Sequence, residues 1–277
     1  MRHLSKLVGS ILACGWVLGA APTSVAQSAA DRDIENNLMM AMAWKQTAAE
    51  YRALYHQGFN LARLRVELAL EKRRDDLRPL AIISDVDETV LLANDYWGYL
   101  IKQGQDFFDD SSWDMWVAEN RVVASPGALE FLNFCVANGV EIFYVTNRDQ
   151  GEATTRLALE NLNSVGFPSV DAAHLRVLRE TSNKEPVQQE IRADYEVVAL
   201  LGDNLNDFSR RFYSTEVDDR LGLMAQDSER FGRDYILFPN PTDGHWVRAI
   251  FGESEPPATD ANRAILRDAA TRSAWAP

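Results

Sequence analysis

The chain has 277 residues, 46% of them apolar, with a formal charge of −13 and a sequence pI near 4.8. That size and apolar share suffice for one large core or two small ones, whereas the charge repels an extended phosphate backbone unless a basic groove intervenes. No run of Lys and Arg builds such a groove, so a nucleic-acid polymer is excluded as a partner.

Arg2 and Lys6 precede an apolar stretch from Leu7 to Ala21 and then the small residues of APTSVA. That order predicts an export signal over 1–26, cut after Ala26, with small side chains at Ser24 and Ala26 for the peptidase. A second route is lipidation at Cys14 in ILACG, against which the apolar WVLGAA beyond it speaks. Both routes take the protein out of the cytoplasm, to the periplasm or to an outer-membrane anchor. A soluble mature form keeps Cys135 alone, so no internal disulfide is expected. Cys135, in the helical pattern ALEFLNFCVANG, reads as a small buried hydrophobe.

From Glu35 to Arg74, within an N-terminal helical region at 30–76, Leu38, Met42, Tyr51, Leu54, Tyr55, Leu61, Leu64 and Leu68 recur at helical spacing. They predict two helices broken near Gly58, packed on the main domain. After Pro79 the short apolar run LAIIS stops at Asp85, as a buried parallel strand does. EIFYVTN from Glu141, EVVALLGDN from Glu196 and YILFPN from Tyr235 repeat that pattern, with helical stretches between the first three. Alternation of this kind predicts an α/β, Rossmann-like parallel sheet with flanking helices over 77–252, whose ligands bind beyond the carboxyl ends of the strands. An insertion at 94–124 interrupts it with Tyr96, Trp97, Tyr99, Phe107, Phe108, Trp113 and Trp116. Most of these rings must hold the insert together, leaving one or two, with Trp113 and Tyr96 as candidates, to grip a flat substrate group. Residues 253–277 begin as a Pro-rich linker and end as a short helix.

Each strand-like run ends in chemistry. Asp85 and Asp87 of SDVDETV sit at i and i+2 and face one ligand from the end of a strand. Their repulsion calls for a hard divalent ion such as Mg2+, with Asp203 of GDNLNDF as a third carboxylate. Asp85 is then placed to attack phosphorus, and Asp87 to protonate the leaving oxygen and later activate water. Thr146 and Lys184 are placed to bind the other phosphoryl oxygens, Asn147 to contact substrate, and Asp207 to orient Lys184 or a water. Lys184 is the only lysine after Lys102, which suggests a point-charge role. A calcium-binding helix–loop–helix fails, with Val90 where its glycine belongs and Tyr96 where its last glutamate belongs. A glycosidase pair fails too, because its two acids flank a sugar instead of sitting two residues apart on one strand.

The ordered set DVDET, VTNR, SNKE and GDNLNDF resembles the haloacid-dehalogenase superfamily of aspartate-nucleophile phosphatases. WKQTAAEYRALYHQGFNLAR, SDVDETVLLANDYWG, WDMWV, PGALEFLNF, FYVTNRD and GDNLNDF narrow the resemblance to the exported class C acid phosphatases, including the lipoprotein 5′-nucleotidase branch, over Ala43 to Trp246. The resemblance implies a Mg2+-dependent phosphomonoesterase with a smaller, mainly helical cap. It makes Asp85 the nucleophile and Asp87 the acid/base, with metal held by Asp85, the Asp87 backbone carbonyl and Asp203. It also implies a nucleotide base stacked on Trp113 and on a second aromatic, at whose place this chain has Asp243, with His245 and Trp246 beside it. Some members are dimers, so a homodimer is a further implied partner. Alternatives left open are a phosphomonoesterase or phosphotransferase without base preference, and a non-enzymatic surface protein whose aromatics bind a ligand such as haem.

Overall fold

The computed structural model describes residues 36–74 and 78–275, so the leader expected at 1–26, with Cys14, lies outside the described residues. Helix α1 (Leu38–Thr47) is followed after one extended residue by α2 (Ala49–Lys72). The break therefore falls at Ala48, and α2 runs through Gly58 without interruption. Gly58 serves packing instead: a Cβ there would lie 2.5 Å from Phe238 Cε1, so the missing side chain lets the helix touch that ring. Tyr51, Tyr55, Phe59, Ala62 and Val66 form the buried stripe, while Leu54, Leu64 and Leu68 are exposed.

The core sheet contains β1 (Leu80–Ser84), β4 (Glu141–Asn147), β5 (Leu175–Leu178), β6 (Glu196–Gly202) and β7 (Tyr235–Leu237), all parallel, in the order β5-β4-β1-β6-β7. Central β1 is buried along its whole length, as LAIIS requires of a strand covered on both faces. The edge strand β5 is the one the sequence reading missed. Its LRVL alternates an arginine into the apolar run and is only four residues long, so it gives a weak periodic signal. Helices α5 (Ala128–Ala137), α6 (Thr154–Ser164) and α7 (Glu185–Asp194) make the crossovers. Cys135 is fully buried in α5. The chain is thus an α/β fold, a parallel sheet with flanking helices and a helical N-terminal region.

Between β1 and α5 the chain forms an antiparallel pair, β2 (Leu91–Leu92) with β3 (Val123–Ala124), that carries α3 (Asn94–Lys102) and α4 (Asp110–Ala118). The rings of this cap pack on one another: Trp113 meets Tyr96 edge-on at 5.1 Å and stacks on Trp116 at 5.0 Å. Helix α1 lies against α3, and α2 against α5, β6 and β7, so the N-terminal helices tie cap to sheet. Helices α8 (Val217–Gln226), α9 (His245–Phe251) and α10 (Asp260–Thr271) complete the described chain.

Candidate active site

Beyond its last residue β1 stays in register with β6, the Asp85 N–H donating to Leu201 O at 2.9 Å, which fixes Asp85 at the sheet's carboxyl edge. The chain then turns at once, with the N–H groups of Thr89, Val90 and Leu91 all directed at Val86 O and Glu88 in the left-handed region at φ 58°. Asp203 follows β6, and Gly202 before it allows the close return of Asp207, whose Cβ would be 2.5 Å from a Cβ at that position. Lys184 stands at the start of α7. Its Nζ reaches Asp85 Oδ1 at 2.5 Å and Asp207 Oδ1 at 2.7 Å, all three side chains being at most 9% exposed. Asp207 therefore holds Lys184, one of the two roles open to it in the sequence.

Ligand oxygens of Asp85, Asp203 and Asp207 all lie within 4.8 Å of one another. Burial, then the nearby Asp207 and Asp87, outweigh Lys184 and push the Asp85 carboxyl up to about 7. Burial, followed by Asp207 and Asp85, raises Asp203 well above the carboxylate range, although Asn240 and Asn204 donate to its Oδ2. The Thr89 hydroxyl stands 3.0 Å from Asp85 Oδ2 and 3.3 Å from Asp203 Oδ1, yet has one proton to give. Three desolvated carboxylates against one ammonium leave a net negative pocket of hard oxygens. That donor set fits a small divalent cation.

Asp87 points elsewhere. Arg148 grips it as a fork, Nη2 to Oδ1 at 2.6 Å and Nε to Oδ2 at 2.7 Å, and Thr146 donates to Oδ2 at 3.3 Å. Its side chain thus does not join the carboxylate cluster, so only its backbone carbonyl is left as a metal donor. The sequence reading missed Arg148, though it follows Thr146 and Asn147 directly in VTNR at the end of β4. Asn147 lines the cavity and donates its amide to Thr181 O at 2.5 Å.

Glu88 was also missed. It lines the cavity and accepts from Lys45 Nζ at 2.6 Å and from Trp97 Nε1 at 3.0 Å, while Lys45 also donates to Thr242 at 3.1 Å. Neither residue stands out in the sequence, since Lys45 is one of two lysines in the N-terminal helices and Glu88 reads as one more acid of DVDET.

A cavity of about 320 Å³ joins these groups to the cap, with Trp97, Phe108 and Trp113 on its wall. Tyr96 does not reach it, which corrects its assignment to substrate binding. Its ring is fully buried beside Trp113 and Trp97, and its hydroxyl is held by the backbone of Asp109. Asp243, from the loop after β7, and His245, the first residue of α9, line the cavity, with Tyr213 beside His245 at 4.8 Å. Trp246 is turned away from the cavity, its indole N–H donating to Asp243 O.

A parallel sheet whose carboxyl edge gathers Asp85, Asp203, Asp207, Lys184 and Thr146 under an inserted cap defines a phosphoryl-transfer enzyme built around an aspartate cluster. The chain belongs to the HAD superfamily, subfamily IIIB (acid phosphatase), whose sequence model matches residues 10–246. It is a phosphoric monoester hydrolase. The class C acid phosphatase of Bacillus anthracis, known from two structures, one of them with tungstate bound, has the same architecture. The two structures superpose with TM-scores of 0.77 and 0.78, each at 30% identity and covering 85% of this chain and 97% of the other.

Proposed function

We propose that this acid phosphatase is an exported, Mg2+-dependent enzyme that hydrolyses small phosphate monoesters, nucleoside 5′-monophosphates among them, through an aspartyl-phosphate on Asp85. The observation that carries this is the Lys184 ammonium seated between Asp85 and Asp207, with Asp203 in the same cluster. Lys184 favours the ionised form of Asp85 and orients it, the cation expected beside it adding the rest of the neutralisation, and Thr146 and Lys184 bind the phosphoryl oxygens that do not react. A carboxylate oxygen of Asp85 bonds to phosphorus while the bond from phosphorus to the ester oxygen breaks. Asp87 gives that oxygen its proton, then takes one from the water that cleaves the aspartyl-phosphate. The Arg148 fork occupies both Asp87 oxygens, so Asp87 reaches the leaving oxygen only after turning out of it toward substrate. Asp85, Asp203 and the Asp87 carbonyl would hold the magnesium ion, which supplies charge neutralisation for the approaching phosphate. The tungstate of the Bacillus anthracis structure, a tetrahedral oxyanion like phosphate, supports this reading.

Turnover of p-nitrophenyl phosphate and 5′-AMP should vanish on chelation and return with Mg2+. Unchanged turnover in excess chelator sinks the metal assignment. A second reading, a monoesterase without base preference, is favoured by Asp243 at the place of an aromatic and by Tyr213, whose ring is already covered by Arg210 at 3.5 Å and Arg248 at 4.4 Å. Equal kcat/KM for 5′-AMP and a sugar phosphate selects that reading, whereas stacking on Trp113 alone predicts a preference for 5′-AMP of about tenfold or less. Export follows from the basic, apolar and small-residue order of 1–26. Mass spectrometry of the mature N-terminus tests it, and separates a chain starting at Gln27 from one lipidated at Cys14.

A further inference from the structure

The two carboxylate oxygens of Asp203 have different surroundings. Two side-chain amides converge on Oδ2, Asn204 Nδ2 at 2.9 Å and Asn240 Nδ2 at 2.8 Å. Oδ1 instead stands 3.3 Å from the Thr89 hydroxyl, the same hydroxyl that lies 3.0 Å from Asp85 Oδ2. The other oxygen of Asp85, Oδ1, is taken by Lys184 Nζ at 2.5 Å. Each acid therefore keeps one oxygen for a cation, and Thr89 links those two oxygens.

Backbone groups fix which way both amides point. The N–H groups of Thr242 and Asp243 donate to Asn240 Oδ1 at 3.1 and 3.3 Å, and the His245 N–H donates to Asn204 Oδ1 at 2.7 Å. A backbone N–H can only donate, so these contacts mark the carbonyl end of each amide and turn its NH2 end toward Asp203. Asn240 has one support more. The Thr242 hydroxyl donates to its Oδ1 at 2.8 Å and accepts from Lys45 Nζ at 3.1 Å, the lysine side chain being fully buried. An ammonium has no lone pair to offer, so the hydroxyl proton goes to Asn240. A one-way chain of donors thus runs from Lys45 of α1 through Thr242 and Asn240 to Asp203 Oδ2.

We infer that Asn240 is a positioning residue that makes Asp203 a one-oxygen donor and so tunes the site to magnesium over calcium. This rests on the divalent-cation reading of the cluster and adds the residue that sets its selectivity. Calcium takes about six to eight oxygens and accepts both oxygens of one carboxylate, whereas magnesium needs a near-ideal octahedron with bonds of about 2.0–2.1 Å. The two oxygens of a single carboxylate lie too close together to fill neighbouring corners of that octahedron. With Oδ2 held by two N–H groups, the second oxygen is withheld from the larger ion without loss to the smaller. Removing the Asn240 amide frees a lone pair on Oδ2 for calcium and loosens the aim of Oδ1 on which magnesium depends.

The test titrates MgCl2 and CaCl2 separately into the protein, stripped of metal with chelator, by isothermal titration calorimetry at pH 8. The wild type should bind Mg2+ more tightly than Ca2+. Asn240→Ala should weaken Mg2+ binding by about tenfold or more, as loss of a group that orients a metal ligand does, and Ca2+ binding by less, so the ratio of dissociation constants shifts severalfold toward Ca2+. Thr242→Val, which removes the hydroxyl behind Asn240, should shift the ratio the same way by a smaller factor, and Thr242→Ser, which keeps it, should retain the wild-type ratio. A merely loosened fold weakens both ions alike, so the ratio separates positioning from general damage. If Asn240→Ala does not fold, the two Thr242 variants decide. An unchanged ratio in Asn240→Ala, or in its absence a Thr242→Val ratio equal to that of Thr242→Ser, overturns the role of Asn240 and leaves the metal reading intact, as does a wild type that binds the two ions equally. A wild type that binds neither ion overturns both.

Discussion

Replacing Lys45 with methionine removes the ammonium that faces Glu88 while keeping a side chain of similar length. The lysine side chain is fully buried and that of Glu88 is 6% exposed. After the change Glu88 keeps the Trp97 indole N–H at 3.0 Å and a long contact from the Ala93 N–H at 3.4 Å, but no positive charge. Removing one partner of a buried ion pair costs on the order of 3–5 kcal/mol, a large part of the roughly 5–15 kcal/mol that a domain holds in reserve. The exposed pairs Arg63–Glu67 and Arg156–Glu160 contribute only about 0.3–0.5 kcal/mol each. The double variant Lys45→Met with Glu88→Gln no longer buries a charge and keeps an oxygen for Trp97. It should therefore be more stable than Lys45→Met alone, by roughly 2 kcal/mol. Urea unfolding at constant m-value measures all three proteins. A single variant that loses less than about 1 kcal/mol, or a double variant that loses the sum of the two single losses, refutes the reasoning.

Other consequences follow from particular positions. Gly58→Ala gains about 1 kcal/mol of helix propensity, but Phe238 is held between Tyr55 at 5.2 Å and Phe59 at 4.6 Å and cannot give way. Overpacking should win, and the urea midpoint should fall; a rise shows that the ring moves. Burial pushes the Cys135 thiol up to about 12, so iodoacetamide at pH 8 should label it only after denaturation, and labelling of the native protein contradicts its place in α5. Asp243 has a folded-state pKa near 6 against an ordinary value of 3.8, so its contribution to stability is complete below that ordinary value and is lost as pH rises through 6. Asp243→Asn should lack this loss and gain on the wild type between pH 4 and 7, by at most about 1.4 kcal/mol per pH unit. Parallel stability profiles of the two proteins contradict it.

What the sequence revealed and what it hid divide along physical lines. Strands buried on both faces are near-continuous apolar runs, so β1, β4 and β6 announced themselves, β1 and β6 stopping just before Asp85 and Asp203 and β4 carrying Thr146 near its end. The edge strand β5 has no such run. Gly58 resembled a helix break because its reason, the Phe238 ring, lies 180 residues away in the chain. Asp85, Lys184, Asp203 and Asp207 were legible because their residue types recur at strand ends and at the start of α7. Arg148 and Lys45 were not, since each acts by pairing with an acid from a distant segment. Neighbouring rings of α3 also divide between cavity and cap interior: Trp97 lines the site and Tyr96 packs behind it. Composition cannot predict which does which.

The central claim is that Asp85 bonds to phosphorus. Acid-quenching the Mg2+-loaded enzyme during turnover of a radiolabelled phosphate monoester, followed by peptide mapping, tests it most directly. The account predicts a label on the peptide containing Asp85, released by hydroxylamine as an acyl phosphate is. It also predicts that Asp85→Asn loses both the label and, by about a thousandfold or more, the hydrolysis. Label on another residue, or an Asp85→Asn enzyme that still hydrolyses the ester at a comparable rate, contradicts it.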